Sequence, residues 1–131
     1  IRKSANQFGA AAVSPTRVER DLRRWLATPE ILAKVEAAAA DARRVLVVLD
    51  DDHSAPHVLR ELQTYGRFVT PGSYLVVEDT NVNGHPVFPE HGPGPMEAVH
   101  EFLATDRSFE IDRSREKFLL TYFPDGWLRK R

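Results

Sequence analysis

The chain has 131 residues, 42% hydrophobic and 28% charged, with 18 Lys plus Arg, 19 Asp plus Glu and a formal net charge of −1. That is enough for one domain with a real core, and the near-neutral balance gives no support to a nucleic-acid or membrane-surface partner held by bulk charge. The lack of cysteine excludes disulfides, thiolate catalysis and Cys-ligated metal, and no apolar run approaches the roughly 18 residues of a membrane span.

No signal peptide is visible, so a cytoplasmic protein is the expectation. The first residue is Ile1, and residues 1–28 carry Arg2, Lys3, Arg17, Arg20, Arg23 and Arg24 against only Glu19 and Asp21. Ser14 as cap and Pro15 in the first turn predict a helix from Pro15 to Ala27, with Val18, Leu22, Trp25 and Leu26 on one face. A second helix is predicted after Thr28, with Ile31, Leu32, Val35 and Ala39 on its apolar side.

The period then changes. Val45-Leu46-Val47-Val48-Leu49 is a continuous apolar, β-branched run, as in a strand covered on both faces, and it ends in Asp50-Asp51-Asp52-His53. A helix is expected from Ser54 to Tyr65, with Val58, Leu59, Leu62 and Tyr65 inward and Gly66 as its stop. After the Pro71-Gly72 turn, Tyr74-Leu75-Val76-Val77 reads as a second buried strand ending in Glu78-Asp79. Strand, helix and strand in this order predict a parallel pair joined by a right-handed crossover. A loop rich in Gly, Pro and Asn follows from Thr80 to Gly94. Next come a helix from Pro95 to Ala104 and two strands, Ser108 to Asp112 and Lys117 to Phe123, paired as an antiparallel hairpin at a sheet edge. The class is α/β.

Parallel strands share one carboxyl edge, where open α/β sheets bind ligands. If the two apolar strands are neighbours, Asp50 and the pair Glu78-Asp79 meet there. Carboxylates so close repel and raise each other's pKa, and a divalent cation with a preference for oxygen resolves this: Mg²⁺, Mn²⁺ or Ca²⁺. His53, three residues past Asp50, is placed to act as a general base. The plain alternative is that Asp52 or Ser54 only caps the next helix. His85 and His91 lie in the long loop, the latter in a segment suited to a lid. His57 and His100 fall in helices and read as structural or exposed. Trp25 and Trp127 read as core or interface residues. A glycine-rich turn after the first strand, which a nucleotide-type cofactor needs in such folds, is missing: Gly9 is the only glycine before Gly66.

Four stretches carry a family likeness: Arg44-Val-Leu-Val-Val-Leu-Asp-Asp-Asp-His-Ser54, Pro71-Gly-Ser-Tyr-Leu-Val-Val-Glu-Asp-Thr80, Gly92-Pro-Gly-Pro-Met-Glu-Ala-Val99 and Asp112-Arg-Ser-Arg-Glu-Lys-Phe-Leu-Leu-Thr121. Together they make Val45 to Arg131 resemble the cephalosporin hydroxylase / rhamnosyl O-methyltransferase family. The resemblance implies a Rossmann-like methyltransferase sheet, mostly parallel with an antiparallel C-terminal hairpin, that binds S-adenosylmethionine. It implies metal ligands at Asp50, Glu78 and Asp79, with Asp52 competing for the place of Asp50, and a catalytic base at His53. No residue is assigned to the cofactor. The family's glycine-bearing loop and earlier strands are not found in residues 1 to about 28. The chain is therefore expected to be a single, incomplete domain over 1–131, with 1–28 a divergent N-terminal segment.

The leading functional expectation is a Mg²⁺-type, S-adenosylmethionine-dependent O-methyltransferase acting on a small-molecule or sugar hydroxyl. The alternatives are a cephalosporin hydroxylase-type tailoring enzyme and a non-catalytic half-domain that self-associates. A homo-oligomer is expected, because a half sheet leaves an edge or apolar face to cover.

Overall fold

The computed structural model describes residues 28–118 and 120–131. The helix expected from Pro15 to Ala27, Trp25 and the basic segment before Thr28 lie outside the described residues. The chain divides into two units, Ile1–Ala38 and Ala39–Arg131.

Helix α1 spans Pro29–Ala40. Thr28 starts it: its carbonyl accepts from Leu32 N–H at 3.0 Å and its hydroxyl from Ile31 N–H at 3.4 Å. Ile31, Leu32, Val35 and Ala39 are its half-covered positions and the rest are exposed, so the apolar stripe falls where the helical period places it.

The larger unit is α/β. Its elements are β1 (Val47–Leu49), α2 (Ala55–Tyr65), β2 (Tyr74–Val77), α3 (Pro95–Thr105), β3 (Phe109–Ile111) and β4 (Trp127–Lys130). The sheet order is β1-β2-β4-β3. β1 and β2 run parallel with Leu49 opposite Val77, whereas β4 runs antiparallel to both β2 and β3. β1, β2 and β3 therefore share one direction and β4 alone opposes them. The expected antiparallel C-terminal hairpin is present as β3–β4. The sheet is otherwise mixed rather than mostly parallel, because two of its three pairings are antiparallel.

Alternation along the strands fixes the faces. Leu49, Leu75, Val77, Leu128 and Phe109 point to one side and form a single core with Val58 and Leu62 of α2 and Ala98, Val99 and Phe102 of α3. Gly66 belongs to this core. A Cβ there would meet Leu75, Phe102 and Phe109 at 3.4–3.5 Å. The residue does not stop α2 through a left-handed cap: its φ is −57°, and the chain continues into a 3-10 turn over Gly66–Phe68.

Two further expectations are corrected. Among the described residues the first strand is not covered on both faces, because Leu46 and Val48 are half exposed, and β1 pairs there with β2 alone. The last strand is not Lys117–Phe123. That stretch holds no strand among its described residues, and its Phe118, Leu120 and Tyr122 are exposed. The turn at Pro124–Gly126 delivers Trp127–Lys130 to the sheet instead, where Leu128 is fully buried. Among the described residues no helix is long and apolar enough to cross a membrane.

Candidate functional site

The parallel register fixes the site. With Leu49 opposite Val77, the next residues, Asp50 and Glu78, leave the same edge of the sheet, and Glu78 N–H donates to the Leu49 carbonyl at 3.0 Å. The strand-end acids therefore do meet at one edge.

Asp79 turns sharply there, with φ +50°. That is the left-handed region, which Asp tolerates better than most side chains. The turn sends the Asp79 carboxylate towards His53: Asp79 Oδ2 lies 3.1 Å from His53 Nε2, and Asp50 Oδ1 lies 3.6 Å from the same nitrogen. Asp50, His53 and Asp79 each offer one donor atom, and the three atoms lie within 4.8 Å of one another. His53 Nε2 is buried, yet neither approach has hydrogen-bond geometry, so the nitrogen has no hydrogen-bond partner.

Glu78 stands beside this set. Partial burial raises its pKa, the charges of Asp50 and Asp79 raise it further, and His53 opposes them. Its oxygens are not among the three clustered donors. Asp52 faces elsewhere: its Oδ1 accepts from Ser54 N–H at 2.9 Å and from the Ser54 hydroxyl, which fastens the start of α2. Of the expected residues, the structure brings together Asp50, Asp79 and His53, keeps Glu78 within electrostatic reach, and turns Asp52 to Ser54.

The loop from Thr80 to Gly94 is pinned over this edge, and Glu97 of α3 is the pin. Glu97 Oε1 accepts from Asn83 Nδ2 at 2.9 Å and contacts His85 Nε2 at 2.9 Å, while Oε2 accepts from Gly94 N–H at 2.7 Å. Burial alone would raise the Glu97 pKa, but the hydrogen bonds from His85, Gly94 and Asn83 outweigh it and hold the group at about 2. The loop reaches the site segment directly, because Ala55 N–H donates to the Pro93 carbonyl at 3.0 Å. Thr80 is fully buried and donates to the Pro124 carbonyl at 2.6 Å. His85 is thus tied to an acid, and the segment around His91 is anchored at Gly94. His100 is exposed and lies 3.5 Å from Asp125 Oδ2.

Gly126 supports the site from below. Its carbonyl accepts from Val77 N–H at 2.9 Å, and a Cβ on Gly126 would stand 2.3 Å from the Val77 carbonyl oxygen. Only glycine permits the turn before β4 to lie against the end of β2. Sequence reading missed Glu97 and Gly126. The first carried a signal, since an acid three residues past the start of a helix commonly reaches back to the first free N–H. Close approach of Gly126 to a distant strand leaves no local trace.

Residues 25–131 match the family described as Rhamnosyl O-methyltransferase/CmcI. The rhamnosyl O-methyltransferase of Mycobacterium tuberculosis is 44% identical over 87 residues, covering 65% of this chain and 36% of that protein. The rhamnosyl O-methyltransferase of Mycobacterium leprae is 43% identical over 90 residues, covering 65% of this chain and 38% of that protein. The chain thus spans little more than a third of the length of these curated relatives. No solved structure matches it.

Proposed function

The chain belongs to the rhamnosyl O-methyltransferase/CmcI family, and from that premise we propose that it carries the cation-binding and proton-accepting part of an O-methyltransferase acting on a sugar hydroxyl. The observation that supports this reading is the cluster of Asp50, Asp79 and His53 donors within 4.8 Å, with a buried His53 Nε2 that lacks a hydrogen-bond partner. Converging carboxylates suit a divalent cation, and the unsatisfied nitrogen beside them suits a proton acceptor.

Asp50 and Asp79 hold the cation in this reading, and Glu78 completes the oxygen set. A divalent cation at such a site lowers the pKa of a hydroxyl brought to it. His53 Nε2 then accepts the hydroxyl proton, and the adjacent carboxylates stabilise the imidazolium that results. The loop pinned by Glu97 orients the acceptor and restricts water. S-adenosylmethionine is the methyl donor that the family implies. The described residues offer no glycine-rich cradle after a strand for it, so no residue of this chain is assigned to it and no step is drawn through it. The Rossmann-like methyltransferase sheet is part of the same proposal. The hydroxylase reading has less support, because the cluster offers one imidazole and two carboxylates, not the two-His, one-carboxylate face of non-haem iron oxygenases.

The test titrates the chain with Mn²⁺ and then with a rhamnoside acceptor. One Mn²⁺ should bind at this edge, persist in His53→Gln, be lost in Asp50→Asn with Asp79→Asn, and tighten binding of the acceptor. A folded chain that binds no Mn²⁺ at this edge, or whose Mn²⁺ binding there survives loss of both carboxylates, overturns the reading.

A further inference from the structure

A second cluster of ionisable side chains joins the segment after β1 to α2 and shares no residue with the first. Asp51 Oδ1 is 2.9 Å from His57 Nε2, and Glu61 Oε2 is 3.7 Å from the same nitrogen. All three donor atoms lie within 4.8 Å of one another. His57 and Glu61 are one turn apart on α2 and project together. The side chains of His57 and Glu61 are only 5% and 12% exposed, and that of Asp51 is 30% exposed.

From this geometry we propose that Asp51, His57 and Glu61 form a second cation site that takes a divalent first-row transition ion, with Zn²⁺ or Mn²⁺ the fitting chemistry. Three observations carry it. First, the spacing is that of ligands around one ion. Donors about 2.1 Å from a tetrahedral cation stand about 3.4 Å apart, between the two separations seen here. Second, two carboxylates share a largely buried place with no Lys or Arg in ion-pair contact with either among the described residues, and such a pair needs a cation or a proton between its members. Third, His57 is nine-tenths buried and its Nε2 faces both carboxylates, so an imidazole and two acids converge on one largely enclosed point.

The donor set selects the ion. The first cluster offers mainly carboxylate oxygens, which suits Mg²⁺. The second offers a buried imidazole between two acids, and imidazole favours transition ions over Mg²⁺ or Ca²⁺. Asp51 is the exposed member through which an ion and a water ligand reach the site. The inference stands apart from the proposed methyl transfer: it needs neither the methyl donor nor an occupied first cluster.

The test removes the first cluster and asks whether binding remains. In the full chain carrying Asp50→Asn and Asp79→Asn, calorimetric titration with Zn²⁺ should still give one ion per chain. Adding Glu61→Gln should weaken it at least about tenfold, since even indirect partners of metal ligands cost that much, and His57→Gln should do the same, with circular dichroism checking the fold. On the unaltered chain, a long-range ¹H–¹⁵N spectrum should show the His57 Nε2 resonance moving on Zn²⁺ addition, a readout that needs no variant to fold. A static His57 resonance with saturating Zn²⁺, or full affinity retained in Glu61→Gln, overturns the proposal and leaves a proton as the group between the acids.

Discussion

His53 Nε2 and Asp79 Oδ2 lie 3.1 Å apart across the carboxyl ends of two neighbouring parallel strands. One residue starts the segment leading into α2 and the other turns out of β2. Their meeting depends on the left-handed turn at Asp79, and the approach of Asp50 to the same nitrogen sets two carboxylates beside one imidazole.

Replacing Asp79 with Asn tests that joint. It keeps shape and tolerance of the left-handed turn while removing one charge. Mn²⁺ affinity at this edge should fall at least about tenfold, with little change in melting temperature, because Asp79 is partly exposed. Electron paramagnetic resonance of free Mn²⁺ measures the loss. Unchanged affinity would take Asp79 out of the ligand set.

Gly126→Ala should destabilise the fold by about 2 kcal/mol, the usual cost of an atom forced into a packed site. The added carbon would have to move the Val77 carbonyl, two residues before Asp79. Denaturant unfolding gives the stability change, and Mn²⁺ affinity should weaken with it. A neutral result would show that the turn relaxes freely.

Glu97→Gln keeps the bulk but not the charge of the group that gathers Asn83, His85 and Gly94. It should cost about 1–2 kcal/mol, in the range for hydrogen bonds to a charged acceptor that is partly exposed. The sign of the pH dependence follows from the depressed pKa. The stabilising charge is fully present above the ordinary value of 4.5 and is lost as pH falls towards about 2. The variant should therefore lose less stability than the parent on acidification through that window.

Glu61 acts in the opposite sense. Burial, the charge of Asp51, its hydrogen bond with Asp51 and the charge of Asp52 push its pKa up to about 8. The folded chain then holds a proton that the unfolded chain releases, so chelator-treated protein should lose stability as pH rises from 4.5 towards 8. Glu61→Gln should flatten that slope. Melting temperatures across the range decide it, and an equal slope in both proteins would contradict the raised value.

The meeting of the strand-end acids was largely legible because they sit where the pattern is strongest. Apolar runs at Val45–Leu49 and Tyr74–Val77 each stop at acids, and a helix between them forces a parallel pair whose ends coincide. Which way the three successive acids face was not legible. Asp52 is drawn off by the Ser54 hydroxyl, in line with the capping alternative, and Asp51 by His57, a competitor that becomes visible only once α2 is in place. The pairing of Asp51 with His57 and Glu61 left one trace, a His and a Glu four residues apart on a helix, which local reading treats as ordinary surface. β4 was missed for a related reason. Phe118 to Phe123 is the more apolar stretch, yet Phe118 is 85% exposed. Trp127–Lys130 is half charged and becomes a strand through its two neighbours.

The place of β4 sets an order of assembly. β3 precedes it in the chain, but among the described residues β4 is the only strand to which β3 is hydrogen-bonded. Phe109 can be tethered early by α3, while the amide of Asp112, which donates to the Trp127 carbonyl, stays unprotected until residues 127–130 slide in beside β2. The keystone of this arch is thus laid last, and hydrogen exchange at Glu110 and Asp112, whose amides face β4, should slow in step with that of Leu128, later than exchange at Val76.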